Sequence, residues 1–262
     1  RISERFFPEL CEANDDPRAE LLFLDGIRWI DEGTRVIASG VAANAALLPL
    51  LDREIRITNL RIDRLDVTLP AAQPEDESGA PPEIRLPIAI RLDAATVDDI
   101  RLQTPALERR IRRIFVSGRF VGSRLLVDRL NVESDWMDLD FEGRVGLANR
   151  YPANISARWR FQASDDSPEL SGTLALSGDR RGYDVRHELT APVSIATRGS
   201  VNAEADVPVL DLRNTWSRLD WPLGDRQISL GDGELTARGR PDDLAIRLLT
   251  AGRVDQLPET GV

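Results

Sequence analysis

Apolar and polar residues alternate along most of this chain, and that period of two constrains the fold more than any other feature. Ile84, Leu86, Ile88, Ile90 and Leu92 are separated by Arg85, Pro87, Ala89 and Arg91. Met137, Leu139 and Phe141 are separated by Asp138 and Asp140, and Ile155, Ala157, Trp159 and Phe161 by Ser156, Arg158 and Arg160. Leu174 with Leu176, Leu235 with Ala237, and Leu244, Ile246 and Leu248 keep the same spacing. A period of two puts one set of side chains on an apolar face and the other in water. Continuous apolar strands, which a parallel sheet buried on both sides would need, are missing. The pattern predicts an all-β antiparallel meander with one wet face.

Turn signals fall at intervals of roughly ten residues, the spacing of successive hairpins. They are Gly118, Gly122-Ser123, Asn149 to Pro152, Ser164 to Pro168, Ser177 to Gly182, Gly224-Asp225, Gly231 to Gly233 and Arg240 to Asp243. About 13 strands are expected between Ile55 and Thr250 on that spacing. Pro70 to Pro82 is Pro-rich and acidic and reads as a solvated loop between two strands. Pro17 to Leu24 and Ala42 to Leu51 are the helical candidates, and Ala106 to Arg113 reads as either a helical turn or a strand. The domain expectation is a mixed helix and strand segment over 1–54, followed by repeating β-structure over 55–262.

Internal similarity supports repetition. Residues 55–69 compare with 123–147, and 170–201 with 231–254, each read as strand, turn and returning strand. Repeated supersecondary units favour a quasi-linear stack over a closed globule.

Composition narrows the function classes. The 44 acidic and 34 basic residues give a formal charge of -10, which argues against a nucleic-acid partner. Every basic residue is arginine, so the lysine used in Schiff-base or P-loop chemistry is absent. Cys11 and His187 are the single cysteine and histidine, which excludes an internal disulfide and zinc sites built from several of these residues. No cofactor or metal site is expected. The longest uncharged run, Val36 to Leu51, has 16 residues broken by Ser39, Gly40, Asn44 and Pro49. It is shorter than the roughly 20 apolar residues that span a bilayer, so this segment is expected to be soluble, with any anchor upstream of Arg1.

Individual residues read as structural. His187 is expected to pack within a strand, and Cys11 to be a small buried or tethered residue. Asp138, Asp140 and Glu142 have the two-residue spacing of a solvated strand face and lack the glycine and terminal glutamate of a calcium loop. Asp98-Asp99 and Glu75 with Glu77 fall in expected turns and loops, with nothing to shift their pKa values. Arg109, Arg110, Arg112 and Arg113 form the one basic cluster, read first as ion pairs to neighbouring strands and second as contacts to lipid headgroups. Gly231-Asp232-Gly233 precedes a strand rather than a helix and reads as a hairpin turn, not a phosphate site. Trp216 and Trp221 are expected to close an end or edge of a repeat.

The succession 46–70, a Pro-rich loop and 86–105, then 120–161, then 170–201 with 214–223 and 231–248, resembles the AsmA-like superfamily and within it the TamB family (translocation and assembly module). The resemblance covers about three quarters of the chain and rests on the order of weak signals, with no catalytic motif. It looks like a membrane-proximal piece that lacks the family's N-terminal transmembrane helix and its C-terminal conserved domain.

The resemblance implies an elongated meander curled into a twisted trough (a β-taco, or repeating β-groove) with an apolar interior and minor helix near the N-terminus. It also implies a periplasmic protein of a Gram-negative bacterium, anchored in the inner membrane by a single helix and meeting a TamA-like outer-membrane β-barrel through its C-terminal region. The implied function is a phospholipid conduit supporting outer-membrane biogenesis. The alternatives are a scaffold or chaperone for β-barrel (autotransporter) assembly and protein secretion, and an unrelated extracellular β-solenoid or adhesin. On the conduit reading, acyl chains meet Ile84, Leu86, Ile88, Ile90, Leu139, Phe141, Ile155, Trp159, Phe161, Leu174, Leu176, Leu235 and Ile246. Exposing ~30 methylenes to water costs about 25 kcal/mol at ~0.8 kcal/mol each, which an apolar floor would largely remove.

Overall fold

Alternation becomes strand after strand in the computed structural model, which describes residues 19–31, 33–46, 48–70, 83–164, 167–205, 207–223 and 226–250. Cys11, Glu75, Glu77, Gly224-Asp225 and most of the Pro-rich loop lie outside them. The strands are β1 (Ala19–Asp31), β2 (Thr34–Ala46), β3 (Glu54–Thr68), β4 (Ala89–Gln103), β5 (Glu108–Val121), β6 (Arg124–Glu133), β7 (Met137–Gly146) and β8 (Ala153–Phe161). They continue as β9 (Leu170–Asp179), β10 (Gly182–Ala191), β11 (Ile195–Asn202), β12 (Val209–Trp216), β13 (Leu219–Leu223), β14 (Arg226–Leu230), β15 (Gly233–Arg240) and β16 (Asp243–Thr250). Fourteen of them form one open sheet in the order β1 through β12, then β15 and β16, while β13 and β14 pair as a separate ribbon. Among the described residues no helix is long and apolar enough to cross a membrane.

The expected helices are corrected. Ala42–Ala46 belongs to β2, paired with β1 and β3, and only a short 3-10 turn follows at Leu48–Asp52. The described part of Pro17 to Leu24 belongs to β1. Ladder pairing on neighbouring strands overrides the helical leaning of an alanine- and leucine-rich segment. The ambiguous 106–113 segment opens β5 as a strand. Gly118, read as a turn, lies inside β5 where its register to β6 shifts, and a Cβ there would run into the Leu126 carbonyl.

One pair departs from the antiparallel expectation: β3 and β4 run parallel. A parallel neighbour requires the chain to return along the whole length of β3, about 50 Å for 15 residues. The twenty residues between Thr68 and Ala89 can reach roughly 66–72 Å when extended, so the Pro-rich connector is long enough for that crossover.

The chain divides into two compact units, residues 1–77 with 84–142, and residues 78–83 with 143–262. In the first, apolar residues on β3 and β4 are spaced two, three, two, three, two rather than strictly two. Ile55, Ile57, Leu60, Ile62, Leu65 and Val67 pair one for one with Ile90, Leu92, Ala95, Val97, Ile100 and Leu102. Each step of three carries two adjacent polar or small residues, such as Asp63-Arg64 and Asp98-Asp99. Asp99 sits at φ 46°, a left-handed value that lets the strand absorb the extra residue. Residues 55–69, expected to be strand, turn and strand, therefore form one unbroken strand as far as Thr68. The second unit keeps the strict alternation along β8 to β12.

Candidate functional site

Each unit places most of its apolar residues on one face, and the register shows which residues lie side by side. In the second unit Ile155, Leu176, Val185, Gly199, Leu212, Ala237 and Ile246 form one row across seven strands. Two residues further along each strand, a second row runs Ala157, Leu174, His187, Thr197, Asn214, Leu235 and Leu248. A third contains Trp159, Gly172, Leu189 and Ile195, with Trp216 opposite Gly233. Directly paired residues project to the same side of a sheet, so these rows build one surface.

The surface is half-buried rather than buried. Among the described residues only nine apolar residues are buried: Ala38, Val41, Ala95, Ile100, Val132, Ala148, Val193, Trp216 and Ala237. Ile246 is 64% exposed and Leu248 53%. A folded chain normally hides such side chains under a second layer. Here large apolar groups remain available to something else.

The first unit has an equivalent surface. Val41, Ile62, Val97, Ile114 and Val132 form a row across β2 to β6. Ala43, Leu60, Ala95, Val116 and Leu130 form the next. Its buried residues Ala38, Val41, Ala95, Ile100 and Val132 all belong to this apolar face.

The opposite face of the first unit is a lattice of arginine and aspartate. Asp99 accepts hydrogen bonds from Arg64 at 3.0 Å and Arg110 at 2.7 Å. Asp93 accepts from Arg56 and Arg91, both at 2.8 Å, and Asp98 from Arg113 at 2.7 Å. Burial pushes the Asp93 and Asp99 carboxyls up, but their arginine partners outweigh it and hold both below the ordinary value. The arginine cluster is therefore engaged as the ion-pair reading requires: Arg112 meets Asp135 at 3.5 Å, and Arg109 lies over the Trp136 ring at 5.3 Å. Asp140 accepts from Asn131 on this same polar side, and Asp138 accepts from the Ser134 amide. Among the described residues no group of three or more potential ligands could hold a metal ion.

The thirteen sequence-derived groove residues separate into three sets. Ile155, Trp159, Phe161, Leu174, Leu176, Leu235 and Ile246 share the second unit's apolar face. Ile90 joins Ile55, Phe120 and Leu125 in a row of the first unit, and Leu139 and Phe141 point away from the polar side on which Asp140 meets Asn131. Ile84, Leu86 and Ile88 precede β4 and are not strand residues; Ile84 and Ile88 are 46% and 39% exposed. Pro87 stands among them without an N–H to donate to a ladder, so the strand begins only at Ala89. Sequence reading missed Val185, Leu189, Ile195 and Leu212, which continue the alternation, and the rows of the first unit, which the two-three spacing hides. His187 does pack in its strand, its ring stacked on Trp159 with centroids 5.8 Å apart and planes 9° apart. Burial lowers its pKa and keeps the imidazole neutral at neutral pH. Trp216 is buried against Gly233 and donates its indole N–H to the Gly231 carbonyl at 2.9 Å.

Comparison with known proteins adds a family and a short local likeness. Polyamine aminopropyltransferases from Methylococcus capsulatus, Alkalilimnicola ehrlichii and Thioalkalivibrio sulfidiphilus are 75%, 69% and 59% identical over 32 residues. Each match covers 12% of this chain and 11% of the relative, so the chain spans about a tenth of the curated proteins it matches. No solved structure matches. The model of the TamB N-terminal domain matches residues 80–262, which include the strands from β4 to β16. That match covers well over half of the sequence, and the chain belongs to the TamB family.

Proposed function

We propose that this chain is a periplasmic segment of a bridge-like conduit that carries phospholipid acyl chains between the inner and outer membranes. The observation that carries the reading is the row Ile155, Leu176, Val185, Gly199, Leu212, Ala237 and Ile246, apolar across seven strands, with Ala237 buried, Ile246 exposed and the other five half-buried. Membership of the TamB family supports a non-enzymatic role in outer-membrane assembly or transport. Acyl chains fit the second unit's apolar face, where Arg186, Arg198 and Arg213 project to the other side, because each methylene leaving water contributes ~0.8 kcal/mol. In the whole protein, an N-terminal helix would hold the inner membrane, and a C-terminal region would meet a TamA-like barrel.

A second reading, a scaffold for β-barrel assembly, is favoured by β16. Among the described residues that strand ends the sheet order, and its Ile246, Leu248 and Leu249 are at least 50% exposed. A strand edge left unpaired among the described residues is a template for a partner strand.

Native mass spectrometry of the full-length protein, purified from Gram-negative membranes in mild detergent, separates the two. Co-purifying phospholipid supports the conduit. Lipid-free protein carrying an unfolded barrel polypeptide supports the scaffold and contradicts the conduit.

A further inference from the structure

Three polar residues interrupt the second unit's apolar face. His187 on β10, Thr197 on β11 and Asn214 on β12 are adjacent in one row. On one side they are flanked by Val185, Gly199 and Leu212, and on the other by Leu189, Ile195 and Trp216. Every arginine of these three strands faces the other way: Arg186, Arg198 and Arg213 are mutually paired on the opposite side.

The row is partly satisfied internally. The Thr197 hydroxyl donates to Asn214 Oδ1 at 2.7 Å, and Asn214 Nδ2 donates to the Leu235 carbonyl at 3.2 Å. An amide nitrogen carries two hydrogens, which leaves Asn214 a second donor. Among the described residues, the contact made by the His187 ring is its stack on Trp159, and neither ring nitrogen has a hydrogen-bond partner. A neutral imidazole offers one donor and one acceptor. The face therefore presents donors on strands two apart, about 10 Å from each other, amid apolar side chains.

We propose that His187, Thr197 and Asn214 form a polar station that holds the ester carbonyls of a diacyl glycerolipid while its acyl chains lie along the flanking apolar rows. This rests on the acyl-chain reading above and deepens it by naming the residues that hold the lipid's ester linkages. Ester carbonyls fit better than phosphate because the donors are neutral and no arginine shares the face. A carbonyl at the root of an acyl chain also needs a donor wherever it is withdrawn from water.

The test compares two pyrene-labelled probes in the full-length protein: a diester phosphatidylglycerol and its diether analogue, which lacks only the carbonyl oxygens. Wild type should retain the diester about tenfold more tightly, the effect of one or two hydrogen bonds. His187→Leu with Asn214→Leu should bring that ratio to about one while diether binding persists. Because Asn214 also supports the Leu235 carbonyl, His187→Phe serves as the second variant. It keeps an aromatic ring against Trp159, removes the donor and should lower the ratio severalfold with strand content unchanged. Equal binding of the two probes by wild type, or an ester preference that survives both variants, overturns the station. Binding of neither probe contradicts the acyl-chain reading itself.

Discussion

Gly233 lies directly beneath the indole of Trp216: the two are register partners on β15 and β12, and a Cβ on Gly233 would stand 2.6 Å from Cε2 of the ring. No side chain fits in that space, so the small residue lets the largest one lie flat against the sheet and reach the Gly231 carbonyl. Gly233→Ala should lower unfolding free energy by about 1–3 kcal/mol, the usual cost of overpacking. Gly182→Ala is the control, since nothing lies within 4 Å of its added methyl. Urea denaturation of the two variants should separate them. Equal midpoints would mean that the indole shifts without cost.

The aspartates of the first unit predict a specific acid response. Asp93 and Asp99 titrate below their ordinary value in the folded chain, with burial opposing and arginine hydrogen bonds prevailing. Between the folded and unfolded pKa values the unfolded chain binds more protons, so stability rises with pH there. The contribution is complete above about pH 4, the unfolded carboxyl value, and is lost as pH falls through the folded values. Asp93→Asn with Asp99→Asn should flatten the fall of the denaturation midpoint between pH 5 and pH 3, in ~half-unit steps. Asparagine also tolerates the left-handed backbone at position 99. Parallel curves for variant and wild type would contradict this.

Arg109, Arg110, Arg112 and Arg113 are engaged with neighbouring acids or with Trp136, yet Arg110, Arg112 and Arg113 are 54–65% exposed. Exposed pairs contribute little to stability. Replacing all four with glutamine should leave the strand signal in circular dichroism intact and lower thermal stability modestly. Loss of strand content would show that the lattice is required for folding.

Charge on the apolar face should act on function before it acts on folding. Phe161→Asp in the second unit and Leu139→Arg in the first place an ion where an acyl chain cannot solvate it. Because these faces are half-buried, water can reach the new charge, and expression should stay near normal. Phospholipid recovered with the full-length protein should fall severalfold. Ala175→Asp, on the other face opposite Arg186, should leave it unchanged. Equal lipid loss in all three would indicate a general fault rather than an interrupted apolar path.

Much of the second unit was legible because its strands obey one rule. Ile155, Trp159, Phe161, Leu174 and Leu176 alternate without a break, and the pleat does the rest. The first unit was harder to read. The two-three spacing on β3 and β4 fits neither a strict strand nor a helix, and it makes sense only once Asp98 and Asp99 are seen projecting together toward arginines. Ala42 to Leu51 misled because its composition favours helix, whereas its pairing with β1 and β3 is a long-range fact. Ile84 to Ile88 misled in the opposite sense: the alternation is there, but Pro87 cannot join a ladder. The parallel pairing of β3 with β4 leaves no local trace beyond the length of the connector. The polar row was invisible for a related reason, since His187, Thr197 and Asn214 become neighbours only through the register of three strands.

The central claim is that one face of this sheet meets lipid and the other does not. Leu176 and Ala175 are consecutive on β9 and project to opposite sides, Leu176 with Ile155 and Val185, Ala175 with Ser156 and Arg186. A photo-crosslinking amino acid at each position, in the full-length protein in living Gram-negative cells, samples both faces at one point along the sheet. The account predicts phospholipid adducts at Leu176 and none above background at Ala175. Equal labelling at the two positions, or labelling confined to Ala175, would contradict it.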